Sequence, residues 1–240
     1  MESILRVLLD VPFWCSFRDP TGINAHTTFR LPPLTTLYGL VANALDLPQD
    51  DYSLRPHLRF AVAIERPGEL VESYSKIMKV REAKTPEEAA KPGNIYISTS
   101  VIKQKLIRPA FWVYILANGI ELQRLQKALH NPARPLYLGE SDDVVDLTDI
   151  EIVDSVSVTT DRFDCAVPGV KEPQEGNTPA SIVNLPFHFI RRGKSDWGLQ
   201  RRLYTYQPDG KSLVLKKPET AYCVDGKHIC FEPSMAEDGT

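Results

Sequence analysis

The stretch TTFRLPPLTTLYGLVANALDLP, residues 27 to 48, carries the clearest helix signal in the chain. Leu37, Leu40, Val41, Ala44 and Leu45 recur at i, i+3, i+4, i+7 and i+8, and Pro48 ends the run. Pro32 and Pro33 fix the approach, and Thr35 can cap the helix with its hydroxyl. The first backbone N–H groups of such a helix have no partner within it and carry the positive end of its dipole. That end can receive a phosphate, and Arg18 and Arg30 can close on the same anion. Gly39 would remove a side chain where another backbone comes close. The same residues also suit a plain helix start with Gly39 packed on a strand, and these residues alone do not choose between the two readings.

Working outward, ILRVLLDVPFWCSF (4–17) is long, apolar and β-favouring, and predicts a central strand. LRFAVAIER (58–66) predicts a second, stopped by Pro67-Gly68, and LIRPAFWVYILA (106–117) a third. GIELQRLQKALHNP reads as an amphipathic helix with Ile120, Leu122, Leu125 and Leu129 inward. ARPLYLG and DIEIVDSVSV then offer the closing strand. This order predicts an α+β fold with a ferredoxin-like (RRM-like) βαββαβ core, one sheet face covered by both helices and the other free. The insert at 69–105 is too long and polar for an ordinary connection. ELVESYSKIMKV and NIYISTSVIK alternate as the two arms of a projecting hairpin, placed before the third strand, with REAKTPEEAAKPG (81–93) at its tip. Residues 1–156 form the expected RNA-binding domain. Residues 157–240 change character to Pro/Gly-rich loops and short strands, a small β-rich C-terminal appendage ending in the tail SMAEDGT.

With 42% hydrophobic and 25% charged residues, the 240-residue chain has ordinary globular composition. No apolar run approaches the roughly 18 to 20 residues of a membrane-spanning helix. Glu2 stands where a signal peptide would be basic, so a cytoplasmic protein without a membrane partner is expected. The net charge of −3 is unevenly spread. Eight basic residues face three acidic ones between Lys76 and Arg108, and eight face two between Arg191 and Lys217, while acid gathers in ESDDVVDLTDIEIVD (140–154). Such segregation suits one basic face on an acidic body, and equally two solvated basic loops. The four cysteines form no CxxC pair. A two-residue Asp225-Gly226 turn would set Cys223 opposite His228 rather than Cys230, which favours reduced thiols.

Catalytic signatures are missing. RRGKSDWG ends like a phosphate-binding loop, but His188 stands where its first glycine belongs. ESDD reads as a solvated turn rather than a cation site, no nucleophile pairs with a base, and no metal or cofactor is expected.

FWCSFRDP followed by TTFRLPPLTTLYGLVANAL resembles the N-terminal signature of the Cas five family of CRISPR-associated proteins, in the RAMP superfamily. NPARPLYLGESDDVV resembles its second motif, Pro-x-Tyr-Leu-Gly before the last core strand. The resemblance implies a non-catalytic subunit of a type I Cascade complex that caps the 5′ handle of the crRNA. Its implied partners are the backbone and large subunits, with target DNA near the PAM as a further candidate. The handle would be gripped by Arg18, Arg30, Thr35, Thr36 and Tyr38 and by the turn carrying Tyr137 and Gly139. The insert would be the family's thumb, offering Lys76, Lys79, Lys103, Lys105 and Arg108. One branch of the family is a metal-independent endoribonuclease that uses a tyrosine with a lysine and a histidine after the thumb. This chain has Lys103-Gln104-Lys105 there and no histidine nearby.

Overall fold

A computed structural model describes residues 1–22, 25–49, 51, 53–80, 96–174, 179–191, 193 and 197–233. Its first strand, β1 (Glu2–Asp10), buries Leu5, Val7 and Leu9 on one face, as a period of two requires. The run does not continue to residue 17 as one strand. Pro12 cannot donate to a ladder, and the chain leaves the sheet there before β2 (Trp14–Cys15) and β3 (Ala25–His26).

Next come α1 (Leu34–Ala44), β4 (Arg59–Arg66), the hairpin β5 (Glu69–Val80) and β6 (Tyr96–Ile107), β7 (Ala110–Leu116) and α2 (Gly119–His130). β8 (Asp146–Phe163), β9 (Val167–Pro168), β10 (Ser181–Arg191), β11 (Trp197–Tyr206), β12 (Leu213–Val224) and β13 (Lys227–Ile229) complete the described elements. The main sheet runs β4-β7-β1-β8-β12-β13 with antiparallel neighbours. The chain therefore crosses from β1 through α1 to β4, skipping over β7, and from β7 through α2 to β8, skipping over β1. Both helices lie on the face that carries Leu5, Val7, Phe60 and Phe111; Leu37, Val41, Leu122 and Leu125 close the cluster. The side chain of Ile120 lies outside the described residues.

The other face is not free. Ile4, Ala61, Ala63 and Tyr114 pack there with Cys165, Val224, Ile229 and Phe231. The cause is the length of β8. Its first half pairs with β1 and its second half with β12, from Val156 opposite Cys223 to Phe163 opposite Leu213. β8 thus runs straight through residue 156, and the C-terminal strands extend the main sheet and curl over it. Glu232 fastens the return. Its side chain accepts from the Phe60 N–H at 3.2 Å and from Arg202 at 3.2 Å, and its carbonyl accepts from Arg59 Nε at 2.7 Å. The turn at Asp225-Gly226 sets Cys223 opposite His228, as expected, and all four cysteines are free thiols.

The hairpin arms pair in unbroken register from Glu69 opposite Ile107 to Val80 opposite Tyr96. Its tip, 81–93, lies outside the described residues. β2 and β3 both add to β6, so the hairpin grows from the segment that leads into α1. β9, β11 and β10 form a second, three-stranded sheet whose β10 packs on α1. No helix among the described residues is long and apolar enough to cross a membrane.

Candidate nucleic-acid interface

The mouth of α1 is open. Pro33 is the N-cap, in extended conformation at φ −61° and ψ 150°, and no side chain caps the helix. Thr35 does not cap, because the helix begins at Leu34 and its hydroxyl stands inside the first turn. No acidic residue occupies that turn; Glu140, paired with Lys103, is the carboxylate that lines the cavity in front of it.

A cavity of about 310 Å³ lies at this mouth, lined by Ser16, Arg18, Thr35, Thr36, Gly139 and Phe189 among others. Arg18 is exposed, held in a β-bridge with Thr28, and its guanidinium donates to the Gly22 carbonyl at 3.3 Å. The opposite wall is the turn 137–144. Gly139 has φ +121°, and a Cβ there would lie 2.7 Å from both Asp143 Oδ2 and the Ser16 carbonyl oxygen. Asp143 is the staple: the N–H groups of Ser16 and Glu140 each donate to its Oδ2 at 2.8 Å. Burial pushes its carboxyl up to about 6, against the downward pull of those two N–H groups. ESDD is therefore a structural turn with one buried carboxylate, and no metal-holding cluster occurs among the described residues.

A second cavity of about 540 Å³ adjoins the first through Thr35 and Phe189. Gly39, Arg55, Arg134 and Tyr137 help line it, and Tyr137 is 42% exposed. Arg134 is anchored to Asp46 at 2.5 Å. The two cavities form one cleft of mixed polar and apolar lining along the exposed wall of α1.

The structure thus gathers Arg18, Thr35, Thr36 and Gly139 at one cavity, with Tyr137 at the next. Arg30 does not line either; it is half-buried, and its charge acts on Tyr206 of β11. Tyr38 touches the second cavity but belongs to the core. It is 9% exposed, its hydroxyl donates to the Leu58 carbonyl at 3.0 Å, and its ring meets Phe60 edge-on at 4.9 Å. Burial, foremost, drives its pKa far above the ordinary tyrosine value. Gly39 faces open space: among the described residues outside its own helix, no atom would lie within 4 Å of a Cβ there.

The hairpin lysines do not share one face. The register sets Lys76 opposite Ser100, on the face with Tyr74 and Met78, while Lys103 and Lys105 are on the other. Lys103 is paired with Glu140 at 2.7 Å, and the Lys105 ammonium sits 4.4 Å from the centre of the Trp14 ring. Arg108 is exposed just past β6, and the side chain of Lys79 lies outside the described residues. Within the second basic segment, Arg201 pairs with Asp19 at 2.7 Å, Arg202 with Glu232 and Lys211 with Asp209. Phe189 and Pro186 of β10 were beyond sequence reasoning. The alternation of VNLPFHFIRRG signals a strand but not that it docks on a helix begun about 150 residues earlier.

These features define a class, a sheet-dominated α+β protein with a projecting hairpin and a cleft at a helix N-terminus. The family model described as CRISPR-associated protein (Cas5) matches residues 4–207, and the chain belongs to that family. Among solved structures, the chain is similar to one described as "CRISPR RNA-guided surveillance complex", with 19% identity and a TM-score of 0.57 over 89% of this chain and 91% of that one. It is also similar to a CRISPR protein from Archaeoglobus fulgidus, with 13% identity and a TM-score of 0.57 over 95% and 98% of the two chains. At these identities the likeness concerns the fold. No curated protein sequence matches.

Proposed function

We propose that this chain is a subunit of a CRISPR RNA-guided complex that caps the 5′ handle of the guide RNA and docks the backbone and large subunits. The observation that carries this reading is the open mouth of α1, where Arg18, Thr35, Thr36 and Gly139 border one cavity with no acidic residue in the helix's first turn. A helix dipole end and a guanidinium suit a phosphate. We read the four strands β4-β7-β1-β8 with α1 and α2 as a ferredoxin-like core and β5–β6 as the thumb. A cytoplasmic setting goes with that role.

The test is Arg18→Ala with handle RNA in a polarisation titration. Loss of a charge-assisted phosphate contact lowers affinity by about 1 to 3 kcal/mol, while the melting temperature stays nearly constant because the side chain is exposed. Unchanged affinity, or a collapsed melting temperature with normal affinity in the folded fraction, would sink the reading.

The same subunit is non-catalytic in this reading. Cleavage next to a 2′ hydroxyl needs a base and an acid. Tyr38, the tyrosine that the motif offers, is buried with its hydroxyl committed to Leu58, and Lys103 is tied to Glu140. Repeat RNA incubated with the protein in EDTA should remain intact. A single defined cut would favour the endoribonuclease alternative.

A further inference from the structure

Two aromatic side chains stand in solvent at the base of the hairpin. Phe13 is 61% exposed and Trp14 39%, with ring centres 6.1 Å apart and planes tilted by 52°. Their backbone is held firmly: Trp14 pairs with Ile107 across β2 and β6, and the next side chain, Cys15, is fully buried. Lys105 holds its ammonium 4.4 Å from the Trp14 ring centre. Arg108 follows in a left-handed conformation, φ +52°, which a residue with a side chain adopts only where its surroundings enforce it. Those surroundings are on hand. The Arg108 N–H donates to the Phe13 carbonyl at 2.9 Å, and Arg66 Nε donates to the Arg108 carbonyl at 2.5 Å. Two exposed aromatics and the Lys105 ammonium are thereby held at one rim, with the Arg108 backbone pinned beside Phe13. Asp10, the carboxylate nearest Arg66, is already engaged by it.

We infer that Phe13 and Trp14 form a stacking platform for unpaired bases of single-stranded RNA, whose phosphates fall on Lys105 and Arg108. The inference rests on the reading of this chain as an RNA-holding subunit and adds two residues that phosphate attraction alone does not require. A phosphate arriving beside Lys105 draws the ammonium from the ring and frees that face for a base. The exchange is favourable, since a base stacked on an aromatic outweighs an exposed cation–π contact. A purely apolar protein surface fits the rim poorly, because closing over it would strip water from Lys105 without a counter-charge.

The chain has three tryptophans, so replacing Trp112 and Trp197 by phenylalanine leaves Trp14 as sole reporter. That protein is titrated with an oligouridylate and with an abasic oligonucleotide of equal length and charge. The expected result is quenching of Trp14 emission by the oligouridylate and not by the abasic strand. Trp14→Ala should weaken oligouridylate binding about tenfold with an unchanged salt slope, and Trp14→Tyr should restore most of it. Equal quenching by both strands, or full affinity in Trp14→Ala, overturns the platform; if Arg18→Ala still loses RNA, the proposed function stands without it. Wild-type protein that binds no RNA would end both. Loss of a partner subunit from Trp14→Ala with RNA affinity intact would assign the rim to protein contact and overturn the inference as well.

Discussion

Gly139 and Gly39 border neighbouring cavities of one cleft, yet their surroundings differ in kind. At Gly139 the chain crowds itself: φ is +121°, and Ser16 and Asp143 already occupy the space a Cβ would need. At Gly39 the helix faces outward, and no described residue beyond its own helix comes within 4 Å of where a Cβ would stand. A glycine inside a helix costs about 0.5 to 1 kcal/mol relative to alanine, and no close contact among the described residues offsets that cost. The first glycine therefore reports on folding. The second points to something that arrives from outside, which is where a bound strand would run in the proposed function.

Substitution separates the two. Gly139→Ala should cost about 3 kcal/mol or more, because both the backbone conformation and two atoms at 2.7 Å oppose the methyl group. A thermal melt reads this directly, and a tolerated alanine would erase the contrast. Removing the staple comes next: Asp143→Ala leaves the N–H groups of Ser16 and Glu140 without their acceptor and should cost about 1 to 3 kcal/mol.

Asp143 also makes the turn pH-dependent. Its folded pKa, about 6, lies above the unfolded value, so between about pH 4 and 6 the folded state holds a proton that the unfolded state has released. Stability from this group therefore falls as pH rises through that window, by about 2 to 3 kcal/mol in all. Asp143→Asn keeps an acceptor for the two N–H groups and should lose that slope. Denaturant midpoints compared at pH 4 and pH 7 would show it, and a slope equal to that of the wild type would count against the assignment. The smallest effect is at the helix. Gly39→Ala should stabilise the fold by about 0.5 to 1 kcal/mol while weakening handle RNA binding. Affinity that holds steady as stability rises would mean that nothing approaches Gly39.

Much of this frame was legible because it rests on local periodicity. The 3.6 spacing of Leu37, Leu40, Val41 and Ala44 locates α1, the alternation of residues 69–80 and 94–103 signals the hairpin arms, and Asp225-Gly226 sets the register of Cys223 with His228. Periodicity says which face of an element is apolar, not which element will cover it. Hence the covering of the second sheet face by Phe231, the arrival of Phe189 at the helix mouth and the withdrawal of Arg30 toward Tyr206 were hidden. Tyr38 shows the same limit from within a motif. Its place on the helix was readable, but its hydroxyl turns to Leu58, a partner outside the repeat.

The fastening of Glu232 to β4 sets a schedule for the newly made chain. Arg59 and Phe60 leave the ribosome long before residue 232, with 173 positions separating Arg59 from its partner carbonyl. At 5 to 20 residues per second, that gap lasts about 10 to 35 s. Through that interval Ala61, Ala63 and Tyr114 have no Phe231 to cover them. From the making of Tyr114 to that of Phe231, roughly half of its synthesis, the nascent protein therefore carries an apolar sheet face without its final cover, a window in which a chaperone or an early-bound partner matters more than it does to the finished fold.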